Sequence, residues 1–178
     1  ISTGVKHDYH KISFDSTFIQ NVNNLSVFAD LNGMLFKKVD WLAEGKFMFF
    51  GYNIWVLKVD GQFNYVVKNS SFKAYINYSL FRPDFISAKY QSNHFVWNNN
   101  WKQTQHLQTG VSFDQSRIRF KGSFTYHVLD NLVFFGTDRT PYQSSTVNQI
   151  VVLRLKEHFR MKWLHVVLDV AGQLKLTG

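Results

Sequence analysis

The chain has 178 residues, with 18 Phe, 8 Tyr, 5 Trp, 2 Pro, no Cys and a formal net charge of +8. Without cysteine, disulfides, Cys-ligated metals and thiol catalysis are excluded. No run of about 18 apolar residues exists, which excludes a membrane-spanning helix but not spanning strands, whose hydrophobic signal falls on alternate positions.

Aromatic enrichment with little proline favours strands, and period-two alternation recurs along the chain. Leu25, Val27, Ala29, Leu31 and Leu35 alternate with Ser26, Asp30 and Asn32, although Phe28 and Met34 blur the pattern. Residues 46–58 are apolar on both faces, and Asp60-Gly61 then gives the strongest hairpin signal, because that pair readily adopts the positive φ angles of a type I′ turn. A short strand from Gln62 to Lys68 and a turn at Asn69-Ser70-Ser71 follow, and residues 72–81 alternate again. Residues 82–101 read as a long loop with a short strand around Ile86 to Tyr90. Strands over 102–113 and 117–129 flank a turn at 114–116, and a second polar loop covers Thr137 to Asn148. The tail from Gln149 to Val170 is strand-like, and Ala171-Gly172 reads as a turn. The expectation is one all-β antiparallel unit spanning 1–178, with roughly eight to ten strands and no internal domain boundary.

The segment 117–129 has two unlike faces. Ile118, Phe120, Phe124, Tyr126 and Val128 line one; Arg117, Arg119, Lys121 and His127 line the other, with no acid among them. The tail repeats this, with Arg154, Lys156, His158, Arg160 and Lys162 opposite Val151, Leu153, Leu155, Phe159, Met161 and Trp163. A same-sign row is costly in a dry interior and tolerable beside water, where charges are screened within about 10 Å. A transmembrane barrel supplies both environments: the cationic rows face a wet lumen and favour anions, the aromatic row faces lipid, and Trp97, Trp101 and Trp163 suit the interfacial girdles. A soluble β-sandwich recognising acidic glycans is the competing reading. Against the barrel stand Glu157, in the middle of the apolar row unless a turn near Glu157-His158 splits it, and the phase change at Trp163-Leu164, which requires a bulge or bend. Asp130-Asn131 reads either as a hairpin turn, closely following the one at 114–116, or as part of a bulged strand.

The segment Ser92-Asn93-His94-Phe95-Val96-Trp97-Asn98-Asn99-Asn100-Trp101 resembles the S-N-H-F-x-W-N-N-x-F motif of the putative porin family of Bacteroidota outer membranes, with Trp101 where Phe is usual. The stretch from Glu44 to Asn53, ending Gly51-Tyr52-Asn53, is similar to a strand of that family, and Gly4 to Tyr9 to a strand start. The resemblance implies an outer-membrane β-barrel of a Gram-negative bacterium, a passive diffusion channel with no catalytic residues. It also implies a longer protein, of which this chain is a portion. The expected partners are outer-membrane lipid and lipopolysaccharide, small solutes and other outer-membrane proteins, the last if the barrel serves as a scaffold in a larger assembly.

Other chemistry is weak. His7 and His10 lie three apart, on opposite faces of a strand, and His94, His106, His127, His158 and His165 lack ligand spacing, so no metal or cofactor is expected. The 12 acids form no pair suited to glycoside hydrolysis, and no nucleophile elbow or phosphate loop is present. Trp97, Trp101 and the asparagines between them suit either sugar stacking or a structural loop, the latter preferred. Nucleic-acid binding is not expected, because the aromatics line the face opposite the cations.

Overall fold

A computed structural model describes residues 1–14, 18–92 and 94–177. Nine long strands form one antiparallel sheet: β1 (Ser2–Phe14), β2 (Phe18–Leu35), β3 (Val39–Gly51), β4 (Leu57–Val67), β5 (Ser70–Phe81), β8 (Thr104–Gln115), β9 (Phe120–Asp130), β12 (Asn148–Met161) and β13 (Leu164–Thr177). Each pairs with the next in that order, leaving β1 and β13 at the edges. Two insertions interrupt this meander. A one-turn helix α1 (Phe85–Ala88) and the hairpin β6 (Lys89–Gln91)–β7 (Val96–Asn98) sit between β5 and β8, and the hairpin β10 (Val133–Phe135)–β11 (Pro141–Gln143) sits between β9 and β12.

The strands alternate between side chains suited to two unlike faces, and pairing on both sides carries residues of low strand propensity such as Asp60 and Gly61. Cross-strand partners share a face, and the register aligns apolar rows across the whole sheet: Phe63, Ala74, Val111, Phe124 and Leu153 form one, and Gly61, Ile76, Thr109, Tyr126 and Val151 another. The long strands form a single layer. Phe124 is 43% exposed and Ile76 53%, and Phe85 is the one buried large hydrophobic side chain among the described residues. Two stacked sheets would have covered these rows, so the fold is a single open sheet, consistent with part of a β-barrel wall and not with a sandwich.

The hairpin predicted at Asp60-Gly61 is instead the middle of β4. Asp60 pairs with Glu44 and Asn77, and Gly61 with Ala43 and Ile76. Asn77 Nδ2 on β5 donates to Asp60 Oδ1 at 2.6 Å, and Lys58 Nζ, two residues earlier on β4, lies 2.8 Å from its other oxygen, so strand neighbours satisfy the carboxylate that a turn would have left to water. The chain reverses earlier, at Tyr52 to Trp55, which divides the 46–58 run between β3 and β4. Gly51 makes this possible: its φ of +105° is open to glycine, and a Cβ there would lie 1.7 Å from the Asn23 carbonyl oxygen.

Four further expectations shift. Residues 116–119 form the turn after β8, so Arg117, Ile118 and Arg119 stand in it and not in a strand. The phase change at Trp163-Leu164 is a hairpin turn at Lys162-Trp163, so Lys162 and Trp163 leave their predicted rows. Ala171-Gly172 is strand, paired with Arg154 and Leu153. Asp130 ends β9 and Asn131, at φ 55°, opens the long connection to β12. Turns and loops therefore alternate. Short turns at 36–38, 68–69, 116–119 and 162–163 share one end of the sheet; the connections at 52–56, 82–103 and 131–147 share the other.

Candidate functional site

The sheet's polar face is the first candidate. Lys121, Arg154, Lys156, His158 and Arg160 share it. Neighbouring strands supply acids that the single-strand pattern could not reveal. Lys121 Nζ is 2.6 Å from Asp114 on β8. Arg154 donates Nε to Asp169 Oδ1 at 3.0 Å and a terminal nitrogen to Oδ2 at 2.7 Å, and Lys156 Nζ stands 3.8 Å from the same carboxylate. The cationic rows are thus partly neutralised from the side.

Across the whole face the charge is uneven. Strands β1 to β4 present Asp8, Asp30, Asp40, Glu44 and Asp60 against Lys6, Lys46 and Lys58. Strands β5 to β13 present Lys73, Lys121, Arg154, Lys156, Arg160 and Lys175 against Asp114 and Asp169 alone. The histidines also meet in pairs that sequence spacing hid. His106 Nε2 and His127 Nδ1 are 3.0 Å apart with stacked rings, and the His158 and His165 rings lie 5.8 Å apart. Among the described residues no group of three metal-ligating side chains forms.

The opposite face carries Phe120, Phe124, Tyr126 and Val128 together, whereas Ile118 is exposed in the turn. On β4, β5, β8 and β9 its apolar rows end at Val67, Ser70, Gln115 and Phe120 on one side and at Leu80, Gln105 and Asp130 on the other, whereas on β12 and β13 the Phe159–Val166 pair carries the apolar face beyond Glu157. Glu157 is strand and not turn: it pairs with Phe120 and Leu168 and shares a cross-strand row with Gln115 and Ser70, a charged side chain on a face that Phe159 and Val166 continue. From Leu57 to Val67 the band spans roughly 33 Å of strand at about 3.3 Å per residue. At the tilt of about 40° usual for barrel strands, that becomes the ~25 Å apolar height of outer-membrane barrels. Just inside the turn-end margin an aromatic row crosses four strands: Tyr65–Phe72 centroids are 6.5 Å apart, Phe72–Phe113 4.7 Å and Phe113–Phe120 6.3 Å. Sequence reading missed this row because its members are distant in the chain.

Trp97 and Trp101 are in the loop-end cap. Trp97 donates Nε1 to the Ile86 carbonyl at 2.8 Å and Trp101 donates to that of Ser87 at 2.9 Å, so both indoles fasten the segment to α1. Trp163 is free of such ties and 89% exposed at the turn end. The motif around them has a structural logic. Ser92 Oγ accepts from the amides of His94 and Phe95, which shapes the β6–β7 turn, and the Asn99 amide donates to Ala88; Asn93 lies outside the described residues. The Gly51-Tyr52-Asn53 segment joins the same cap. Asn53 N donates to Oδ1 of the buried Asn24 at 2.9 Å, and the Tyr52 ring meets Phe85 edge-on at 5.6 Å. Burial against Phe85 and Pro83 pushes the Tyr52 hydroxyl pKa up, with the Arg82 charge opposing.

With this geometry in place, comparison with known families is decisive. The family model described as Putative porin matches residues 2–175. The chain belongs to the putative porin family. No curated protein and no solved structure matches significantly. Membership makes this chain porin-like, a β-barrel of the outer membrane in general terms, and points to a non-enzymatic channel.

Proposed function

We propose that the sheet is pore wall: its charged face lines water, its aromatic face meets lipid, and small solutes pass by diffusion, anions preferentially. The observation that carries this is the pair of unlike faces on one unstacked nine-strand sheet, with an apolar band of membrane height. The anion preference follows from β5 to β13, where Lys121, Arg154, Lys156, His158 and Arg160 outnumber their acids; fixed cations near a water-filled path raise the local concentration of negative solutes. Strands β1 to β4 carry the compensating acids, so the wall is bipolar across its width.

The short-turn end fits the same setting. Lys37, Lys38, Lys68, Arg117, Arg119 and Lys162 occupy its turns, all exposed and without an acid among the turn residues. Trp163 and the Tyr65–Phe120 aromatic row adjoin them. Cations and aromatics at a band edge suit lipid phosphates and headgroups, the chemistry that phospholipid and lipopolysaccharide share. The resemblance of residues 92–101 to the family motif supports a Bacteroidota-type outer membrane as the setting.

Planar-bilayer reconstitution of the natively extracted protein tests the reading. Stepwise conductance with anion preference is expected, and reversing charge at Lys121 and Lys156 should lower the anion-to-cation permeability ratio. Stoichiometric co-purifying partners with no conductance would indicate a scaffold barrel instead. Conductance with unchanged selectivity in the reversed variant would remove the lumen assignment.

A further inference from the structure

The loop end holds a cavity of about 480 Å³ between the β3–β4 loop and the α1 segment, within the size range of small-molecule sites. Tyr52, Trp55 and Trp101 supply aromatic surface, Arg82 and Lys89 stand at its edge, and Asn100 and Gln103 add amides. We propose that this cavity binds an acidic sugar residue, with a pyranose ring against the Trp55 indole and its carboxylate at Arg82 and Lys89.

Trp55 is the strongest pointer. Its backbone is left-handed, φ 67°, which is uncommon for a bulky side chain, and its side chain is 62% exposed. The conformation is held from both sides: the Trp55 amide donates to the Met48 carbonyl at 2.8 Å, and Gln103 Nε2 donates to the Trp55 carbonyl at 3.3 Å. Phe47 supports the indole at 5.8 Å between centroids. A large aromatic group is thus held in a costly conformation and presented to solvent at a cavity mouth, an arrangement found where binding uses it. Its exposed π surface suits the C–H face of a sugar ring.

The charge fits an acid. The Arg82 guanidinium lies over the Tyr52 ring at 5.8 Å, and among the described residues neither Arg82 nor Lys89 has a carboxylate within 4.0 Å. The nearby acid, Asp84, acts on the Tyr52 hydroxyl. A planar guanidinium offers paired donors to a carboxylate, and Asn100 and Gln103 can serve sugar hydroxyls. Tyr52, Asn100 and Trp101 of the cavity belong to two of the segments that resemble the porin family's motifs, and none of its residues lies on the polar sheet face. It is therefore separable from conduction.

The test is titration of the natively extracted protein in detergent with digalacturonate, followed by tryptophan fluorescence, beside the neutral disaccharide maltose. Saturable binding of digalacturonate, at least about tenfold tighter than maltose, is expected, since one charge-assisted contact is worth about that factor. Arg82→Gln and Lys89→Gln should each weaken it several-fold while leaving the heat-modifiable mobility of the folded barrel intact. Trp55→Ala should also weaken it, read by calorimetry because the fluorophore is lost. Competition by purified lipopolysaccharide would assign the site to its acidic core sugars; binding without competition would assign it to a soluble saccharide. Equal affinity for maltose, no saturable binding, or unchanged affinity in the Arg82 and Lys89 variants would overturn the proposal.

Discussion

The two ends of the sheet are built on different principles. At the short-turn end the chain reverses in a few residues, the side chains stand in solvent, and Lys37, Lys68 and Arg119 adopt positive φ. At the loop end collect most of the buried side chains among the described residues: Asn24, Phe85, Ser87, Thr104 and Asn148. Most of those are polar and hydrogen-bonded, and no buried side-chain nitrogen or oxygen among the described residues lacks a partner. One end is closed by local turn geometry. The other is held by a small polar core, in which Gln143 donates to the carbonyls of Lys102 and Asn131 and so ties the β10–β11 hairpin to the β5–β8 connection. A barrel wall has no dry interior to supply stability, so side-chain packing that fixes the fold can gather where loops cover one another.

That contrast predicts unequal sensitivity to substitution. The largest effect is expected at Gly51. Gly51→Ala combines a disallowed φ with a Cβ at 1.7 Å from a carbonyl oxygen, and should destabilise by more than about 3 kcal/mol. Gly45→Ala, with nothing within 4 Å of the new atom, should stay within about 0.5 kcal/mol. Denaturant unfolding in detergent, followed by gel mobility, compares the two; equal losses would break the comparison. Next comes Asn24→Ala. Asn24 is 2% exposed and accepts from the Asn53 amide, so its loss should cost about 1–3 kcal/mol, the penalty of an orphaned buried donor.

Neutralising the turns should do the opposite. Lys68→Gln, Arg117→Gln and Arg119→Gln together should leave unfolding within about 0.5 kcal/mol of wild type, while reducing retention by anionic-lipid nanodiscs relative to zwitterionic ones. A large stability loss would show that the turn end carries structure after all.

The smallest effect concerns pH. In the β10–β11 hairpin, Tyr142 and Thr140 hydroxyls donate to Asp138 at 2.6 and 2.7 Å and the Thr140 amide at 3.1 Å, which holds the Asp138 carboxyl below its ordinary range. A depressed carboxyl stabilises the folded hairpin at pH above the unfolded value of about 3.9 and ceases to do so as pH falls through the lower folded value. Protection of the Arg139 and Thr140 amides, measured as exchange relative to the intrinsic rate at each pH, should therefore fall selectively at acidic pH, and Asp138→Asn should remove that pH dependence.

How far the sequence exposed this design depends on range. Alternation over 72–81 and 117–129 separated two rows of side chains, because period two is a local property of a strand, but it did not show that 117–119 is turn. Asp60-Gly61 misled because turn propensity is local too, and the pairing of Asp60 with Asn77 outweighs it. The acids facing Lys121 and Arg154 come from Asp114 and Asp169 on neighbouring strands, so register decided the net charge of the row. Glu157 is strand and stays on the apolar face, where Phe159 and Val166 lie beyond it; only register shows that its row partners are Gln115 and Ser70. The cap was legible as motif residues and illegible as geometry: nothing local says that Tyr52 meets Phe85, or that Trp97 and Trp101 reach the carbonyls of α1.

The central claim is that the two sheet faces meet lipid and water. The chain has no native cysteine, so single cysteines at Ser112, Ser123, Phe124 and Leu153 can report directly. Fluorophores at 124 and 153 should be quenched by lipid-borne bromine and resist aqueous iodide, and those at 112 and 123 should show the reverse. Aqueous quenching at all four positions would contradict the account.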